Sequence, residues 1–89
     1  MREVVILSSV RTAGGAFGGS LKDQSVVDLG VHAAKEAIHR SGVVPSEFDE
    51  VIIGNGWQAG VGPNSARLIA IKAGLPDSVP AFTVNKRCG

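Results

Sequence analysis

Apolar residues divide the chain into short and long segments that alternate. Three short apolar runs are typical of strands, and they cover Val4–Val10, Val51–Ile53 and Ala81–Val84. The first run is β-branched and nearly continuous, as in a strand buried on both faces of a parallel sheet. The two longer segments between the runs carry apolar residues at helical spacing. This alternation predicts an α/β fold of order βαβαβ, with parallel strands joined by right-handed helical crossovers.

The first helix is predicted to begin after Ser25, because Ser25 is a good N-cap and Asp28 follows at the capping-box spacing. Gly42 fits the position just beyond the last helical residue, and Pro45 prevents the helix from resuming. One side of this helix carries mainly small apolar residues, including Gly30. The pattern therefore predicts close packing against a neighbouring element.

The second helix is predicted to run from its N-cap, Asn64, to about Ala73, with Gly74 and Pro76 as its stop signal. Apolar residues occupy most of its circumference, so it favours burial nearly all round. If the strands are added in one direction, both crossover helices lie on one face of the sheet and the other face stays bare. The pattern alone thus predicts an incomplete domain.

Composition narrows the classes of function. The 89 residues are 44% hydrophobic with a formal net charge of +1, which predicts one globular unit and gives no electrostatic case for nucleic acid. No apolar stretch approaches the ~20 residues of a membrane helix, and the N-terminus does not resemble a signal peptide. A single cysteine forms no internal disulfide, so we expect a cytoplasmic protein. His32 and His39 lie about 10 Å apart along the predicted helix, too far to chelate one metal ion.

Two glycine-rich loops allow more than one interpretation. Residues 11–19 form either a phosphate cradle or a packing loop plugged by Phe17, and their spacing, which matches no phosphate-binding motif, favours packing. Gly54–Ala59 matches G-x-G-x-x-A, but the next helix is delayed until about Asn64, which argues against dinucleotide binding. Trp57 in this loop is predicted to be a core or interface anchor rather than a substrate contact.

Cys88, the only cysteine, follows the third predicted strand after the polar turn Asn85–Arg87. Ligands of open α/β sheets bind beyond the carboxyl ends of strands, so a thiol there is a candidate nucleophile. Free cysteine is also among the most buried residue types, and Cys88 in the alternative only fills space in a core. Its position leaves both interpretations open.

Four segments, in this order, resemble the beginning of the thiolases, the family that makes or cleaves 3-ketoacyl-CoA thioesters. They are an opening strand with a glycine-rich loop, a second strand, a loop-to-helix segment and a cysteine-bearing segment: Val4–Thr12 with Gly15, Phe17, Gly19 and Leu21; Asp49–Asn55; Gly62, Asn64, Ala66 and Arg67 with Ala73–Pro76; and Thr83–Asn85 with Cys88–Gly89. The resemblance implies a thiolase-like α/β fold, of which residues 1–89 form an incomplete N-terminal half. Two departures, at Ala13 and at Pro63–Ser65, bear on substrate preference.

The resemblance also implies a mechanism and partners. Cys88 is its nucleophile for acyl transfer between acyl-CoA thioesters, in a Claisen condensation or a thiolysis. Coenzyme A thioesters are substrates, and neither a cofactor nor a metal ion is implied. The catalytic histidine, second cysteine and coenzyme A loops of the family come later, so a complementary larger thiolase chain is the expected partner, in a homo-oligomeric enzyme. The isolated chain is expected to be inactive, because its terminal carboxylate, on Gly89, lies one residue from Cys88 and disfavours the negatively charged thiolate.

Two other classes of function remain open. One is a decarboxylating condensing enzyme of the same superfamily, which a comparison of coenzyme A and carrier-protein substrates would separate from a thiolase. The glycine loop after Arg11-Thr12 favours the thiolase. The other is a non-catalytic fragment in which Cys88 only packs, and protection of Cys88 from iodoacetamide by acyl-CoA would argue against it.

Overall fold

The computed structural model describes residues 2–57 and 62–85. Its elements are two helices, one short 3-10 helix and two strands, in the order α1 (Val26–Ser41), 3-10 helix (Pro45–Glu47), β1 (Val51–Gly54), α2 (Ser65–Lys72) and β2 (Ala81–Val84). β1 and β2 pair in parallel, α2 crosses between them and packs on both strands, and α1 packs on α2. The predicted α/β class with parallel strands is therefore confirmed.

Both ends of α1 coincide with their sequence signals. Ser25 Oγ accepts a hydrogen bond from the Asp28 N–H at 2.9 Å, and the Asp28 carboxylate accepts one from the Ser25 N–H at 3.2 Å. These two bonds form the predicted capping box. At the other end Gly42 adopts the left-handed conformation, with φ of 72°. Pro45 then opens the separate 3-10 helix, so the predicted start and stop are both confirmed.

The small residues of α1 allow it to approach α2. Gly30 lies directly against Ile69, which is buried on α2 together with Ala66 and Ala70. This contact confirms the close packing predicted from the sequence. Leu75 and Val79, which follow α2, are also buried, and we call these buried apolar residues the buried cluster.

The second helix also has its predicted bounds, with Asn64 as N-cap and Gly74 in a left-handed conformation just beyond its end. Only one side of α2 is buried, however. Leu68 and Ile71 on its other side stay partly exposed. A helix whose sequence favours burial nearly all round is thus left with uncovered apolar surface in the described part of the chain.

One face of the two-stranded sheet is bare among the described residues. α2 covers the face that carries Thr83, whose hydroxyl bonds to its backbone. On the opposite face Ile52 and Phe82 are register partners that are 58% and 43% exposed, and Val84 beside them is 41% exposed. We call this apolar surface the bare face. The sequence predicted an uncovered side of the sheet, but for a different reason: only α2 is a crossover helix, because residues 2–16 form no strand and α1 packs on α2.

The predicted first strand is wrong: residues 2–16 contain no strand, and Val4 and Ile6 are 92% and 87% exposed. Ser8 Oγ in this segment donates to the Ala37 carbonyl of α1 at 2.8 Å. An apolar β-branched run has the propensity for a strand, but a strand also needs a neighbour to pair its backbone groups. β1 pairs with β2. The second predicted strand is therefore parallel to the third, not to the first.

Two predictions about aromatic residues also need correction. Phe17 is fully exposed, so it does not plug its loop. Trp57 is 74% exposed, which rules out a core position in the described structure. Neither residue lies in an element that packs in the buried cluster, because both belong to loops on the surface of this unit. The interpretation of Trp57 as an interface anchor stays a prediction.

Candidate functional site

The candidate site lies at the carboxyl ends of the two strands, beside the beginning of α2. Because β1 and β2 are parallel, they end at the same edge, with Gly54 opposite Val84. Asn55 follows β1 at this edge, and Asn85 follows β2. Ligands in open α/β folds bind at such an edge. The location is therefore the one expected from the sequence.

Cys88, the nucleophile predicted from the sequence, lies outside the described residues, which end at Asn85. The structure does describe β2, the strand that precedes Cys88 in sequence, and the contacts that other described residues make with this strand. The geometry of the site is accordingly that of β2 and its neighbours.

Thr83 connects β2 to the beginning of α2. Its hydroxyl donates to Asn64 Oδ1 at 2.8 Å and accepts from the Ala66 N–H at 3.0 Å. Ser65 Oγ lies 3.5 Å from Thr83 Oγ1 and accepts from Asn55 Nδ2 at 3.3 Å. A continuous set of hydrogen bonds thus runs from the end of β1, through the first residues of α2, to β2. We call Asn55, Asn64, Ser65 and Thr83 the polar cluster.

Asn64 uses both ends of its side-chain amide in this cluster. Its Oδ1 caps α2 by accepting from the Arg67 N–H at 3.2 Å, and it accepts from the Thr83 hydroxyl as well. Its Nδ2 donates to the Ala81 carbonyl at 3.2 Å. One side chain therefore holds the helix and two positions of β2 together.

The Ala81 carbonyl lies on the outer edge of β2. The Pro80 and Val84 carbonyls accept from backbone N–H groups on the β1 side, each at 2.9 Å. Successive backbone groups of a strand point in alternate directions, so the Ala81 carbonyl points away from β1. Asn64 covers this carbonyl and occupies an edge position where a further strand would otherwise pair.

Because the polar cluster is partly buried, its polar groups need hydrogen-bond partners within the protein. Ser65 and Ala66 are fully buried, and no buried side-chain nitrogen or oxygen in residues 2–57 and 62–85 lacks a hydrogen-bond partner. Removing the Thr83 hydroxyl would take the acceptor from the Ala66 amide, and an unpaired buried amide costs about 1–3 kcal/mol. Fully paired networks of this kind rigidify their surroundings.

The N-terminus of α2 is partly occupied by the protein itself. The Ala66 and Arg67 N–H groups bond to Thr83 and Asn64, respectively. A helix N-terminus binds an anion through backbone N–H groups that have no partner within the protein. These two amides are already used, so they do not provide a site for a negatively charged reaction centre.

A concave region lies elsewhere, between residues 9–13 and α1, with a volume of about 800 Å³ and with Arg11, Glu36 and Arg40 in its lining. Arg40 Nε donates to Glu36 Oε1 at 2.7 Å. This hydrogen bond, with the charge of Arg40, lowers the pKa of Glu36. A carboxylate with a lowered pKa is a weak general base at neutral pH. Glu36 is therefore a poor candidate for a general base.

The described residues offer neither a metal site nor a membrane-spanning helix. No group of three or more His, Cys, Asp or Glu side chains among them is arranged to hold a metal ion. None of the helices formed by these residues is long and apolar enough to cross a membrane.

Sequence reasoning identified Asn64 as a helix cap and placed Asn55, Asn64 and Thr83 in segments that resemble thiolases, but it missed that these residues and Ser65 form one cluster. A signal was present for Thr83, because it is the only polar side chain in the apolar run Ala81–Val84. Alternation along a strand places it on the face opposite Phe82 and Val84. The contacts with α2 required the packed structure.

Comparison with known proteins identifies the family of this chain. The chain matches the family model described as Thiolase, N-terminal domain, over residues 4–89. It is 54% identical over 89 residues to the probable acetyl-CoA acyltransferase of Staphylococcus aureus (strain NCTC 8325 / PS 47). This match covers 100% of this chain and 23% of that protein. It is also 54% identical over 89 residues to the acetyl-CoA acetyltransferase of Clostridioides difficile, here covering 100% of the chain and 83% of the relative.

Among solved structures, the Acat5 thiolase from Ascaris suum in complex with coenzyme A matches with a TM-score of 0.88 and 46% sequence identity. The match covers 91% of this chain and 21% of that one. The two relatives are named as an acyltransferase and an acetyltransferase, and this chain shares the α/β fold of the Acat5 thiolase. The chain belongs to the thiolase family, as its resemblance to thiolases predicted. It spans 23% of the length of the Staphylococcus aureus relative.

Proposed function

We propose that this chain is the nucleophile-bearing part of a thiolase, which transfers acyl groups between coenzyme A thioesters through an acyl-cysteine at Cys88. The observation that carries the proposal is the family match over residues 4–89, which includes Cys88. The geometry supports it, because β2 leads to Cys88 from the carboxyl edge of a parallel sheet, where ligands bind.

In the proposed first half-reaction the Cys88 thiolate attacks the carbonyl carbon of an acyl-CoA. A bond forms between Sγ and this carbon, the bond from the carbon to the coenzyme A sulfur breaks, and coenzyme A leaves as a thiolate that takes up a proton. A thiol suits this step because the acyl group must arrive and leave as a thioester. Coenzyme A thioesters are thus substrates, and the proposal includes no other cofactor.

In the second half-reaction another acyl-CoA loses the proton next to its carbonyl to a base on the remainder of the enzyme. The resulting carbanion attacks the acyl carbon on Cys88, so that a carbon–carbon bond forms, the bond to Sγ breaks and the thiolate is restored. The product is a 3-ketoacyl-CoA. Thiolysis is the same sequence in reverse.

The proposal also assigns the chain a partner, a complementary larger thiolase chain, in a cytoplasmic homo-oligomer. Two observations support the larger partner chain. The chain spans 23% of the Staphylococcus aureus relative and 21% of the Acat5 chain, so most of those proteins has no counterpart in these residues. The bare face leaves Ile52, Phe82 and Val84 exposed side by side, and such apolar surface favours burial against protein.

The function is tested by mass spectrometry of the protein purified under native conditions. We expect a bound larger thiolase chain, a single acetyl group on the Cys88 peptide after incubation with acetyl-CoA, and protection of Cys88 from iodoacetamide by acetyl-CoA. Cys88→Ser should abolish acyl transfer. Full turnover by Cys88→Ser, or iodoacetamide labelling that acetyl-CoA leaves unchanged, would contradict the proposed nucleophile.

A further inference from the structure

β2 is held from three directions just before the segment that carries Cys88. On one edge it pairs with β1, where the Asn55 N–H donates to the Val84 carbonyl at 2.9 Å. On the other edge Asn64 Nδ2 holds the Ala81 carbonyl. On the face toward α2, the Thr83 hydroxyl bonds to Asn64 Oδ1 and the Ala66 N–H. Two of these three attachments depend on the Asn64 and Thr83 side chains.

From this arrangement we infer that Thr83 and Asn64 are positioning residues for the acyl transfer, acting through β2 on the placement of Cys88. The inference rests on the proposed function, since it takes Cys88 to be the nucleophile. Thr83 lies five residues before Cys88 and Val84 is the last residue of β2, so only three residues of sequence separate the held strand from the thiol.

Neither residue is a catalytic residue in this scheme. The Thr83 hydroxyl proton is donated to Asn64 Oδ1, and its oxygen accepts the Ala66 N–H. The Asn64 amide is likewise engaged at both ends, toward Ala81 and Arg67. Groups paired in this way hold a strand and its helix in one relative position. They do not exchange protons with a substrate.

Position matters here because the thiolate must approach the thioester carbonyl in a narrow range of geometries. A displacement of about 1 Å can reduce the rate of such a reaction by about 100-fold. Valine fills the same volume as threonine but makes neither hydrogen bond, so Thr83→Val loosens the attachment of β2 to α2 while it keeps the packing. Thr83→Ser keeps the hydroxyl. This pair of variants separates the hydrogen bonds from the side-chain volume.

The inference is tested on the natively purified, assembled enzyme, at a temperature where circular dichroism shows every variant folded. The rate of Cys88 acetylation by acetyl-CoA is measured beside the rate of its alkylation by iodoacetamide, for wild type, Thr83→Val, Thr83→Ser and Asn64→Ala. Thr12→Val is the matched control, because the Thr12 hydroxyl is exposed and bonds only to its neighbour Ala13 in the described structure.

We expect Thr83→Val and Asn64→Ala to slow acetylation by about 10-fold or more, without slowing alkylation and with little change in KM for acetyl-CoA. Thr83→Ser should stay within about twofold of wild type, and Thr12→Val should match wild type, because both keep the bonds that hold β2. A Thr83→Val protein with lowered Tm but wild-type acetylation would overturn the positioning role alone. A wild-type enzyme whose Cys88 is alkylated but never acetylated would overturn the proposed function, and the positioning role with it.

Discussion

A Cβ atom at Gly30 of α1 would lie 2.5 Å from Cδ1 of Ile69 on α2. Ile69 is itself only 2% exposed, so its side chain has little room to move away. This contact joins α1 to the helix whose first residues belong to the polar cluster. Packing between the two helices is thereby connected to the strand that leads toward Cys88.

Gly30→Ala tests this contact, because the contact decides whether the free energy of unfolding rises or falls. In an unobstructed helix the change from glycine to alanine stabilises by about 1 kcal/mol, whereas overpacking a core costs about 1–3 kcal/mol. We expect a lower free energy of unfolding, measured by urea denaturation of the purified protein. Ile69→Val removes the obstructing Cδ1, so Gly30→Ala should cost less in an Ile69→Val background than alone. Stabilisation by Gly30→Ala alone would show that the helices are not in close contact there.

Gly42→Ala should destabilise the end of α1. Gly42 has a φ of 72°, and a residue with a Cβ pays about 1–2 kcal/mol in this left-handed region. Gly42→Asn should be tolerated better than Gly42→Ala, because asparagine adopts this conformation more readily. Gly14→Ala is the control, since a Cβ there meets nothing within 4 Å. Thermal denaturation of the three variants gives the comparison, and equal Tm values for all three would refute the role of Gly42.

Asp28 should make the stability of α1 depend on pH. The Ser25 N–H, and then the Ser25 hydroxyl, lower the pKa of the Asp28 carboxyl. A carboxyl whose pKa is lower in the folded state stabilises the fold fully above its unfolded pKa of about 3.9, and this contribution is lost as pH falls through the lower folded pKa. The stability difference between wild type and Asp28→Asn should therefore shrink below about pH 4. An Asp28 pKa at or above the usual value, measured by NMR titration, would contradict this expectation.

Ile52→Ser tests the occupant of the bare face. If the larger thiolase chain covers this face, replacing Ile52 by serine should weaken the assembly, since burying an isoleucine side chain contributes about 1.5–3 kcal/mol. Val44→Ser is a matched control, because Val44 is 61% exposed against 58% for Ile52 but belongs to neither strand and directly precedes the 3-10 helix. Native mass spectrometry of the complex provides the readout. Equal loss of the larger chain from both variants would argue against the bare face as the interface.

Local signals predicted the elements that depend on neighbouring residues in sequence. Ser25 with Asp28, Asn64, and the two glycines that end the helices act within one turn of their own helix, so their effects can be derived without knowing the rest of the fold. Small residues such as Gly30 also predicted close helix packing. The residue that packs against Gly30, Ile69, could not be identified from the sequence.

The run Val4–Val10 shows where local signals stop. Its β-branched residues favour extended backbone, but a strand exists only where a second backbone pairs with it, and that depends on residues far away in sequence. The same is true of the polar cluster. Thr83 and Asn64 are 19 residues apart, and no periodicity connects them.

The sequence by itself thus determined the α/β class, the ends of both helices and the resemblance to thiolases. These depend on short-range stereochemistry, on hydrophobic periodicity and on residue identities in order. The tertiary structure alone decided which strands pair, which side chain of α2 meets Gly30, and how Asn64 and Thr83 hold β2 beside α2. The reason is physical: hydrogen bonds and contacts between distant residues form only when packing brings them together, and packing depends on all elements at once.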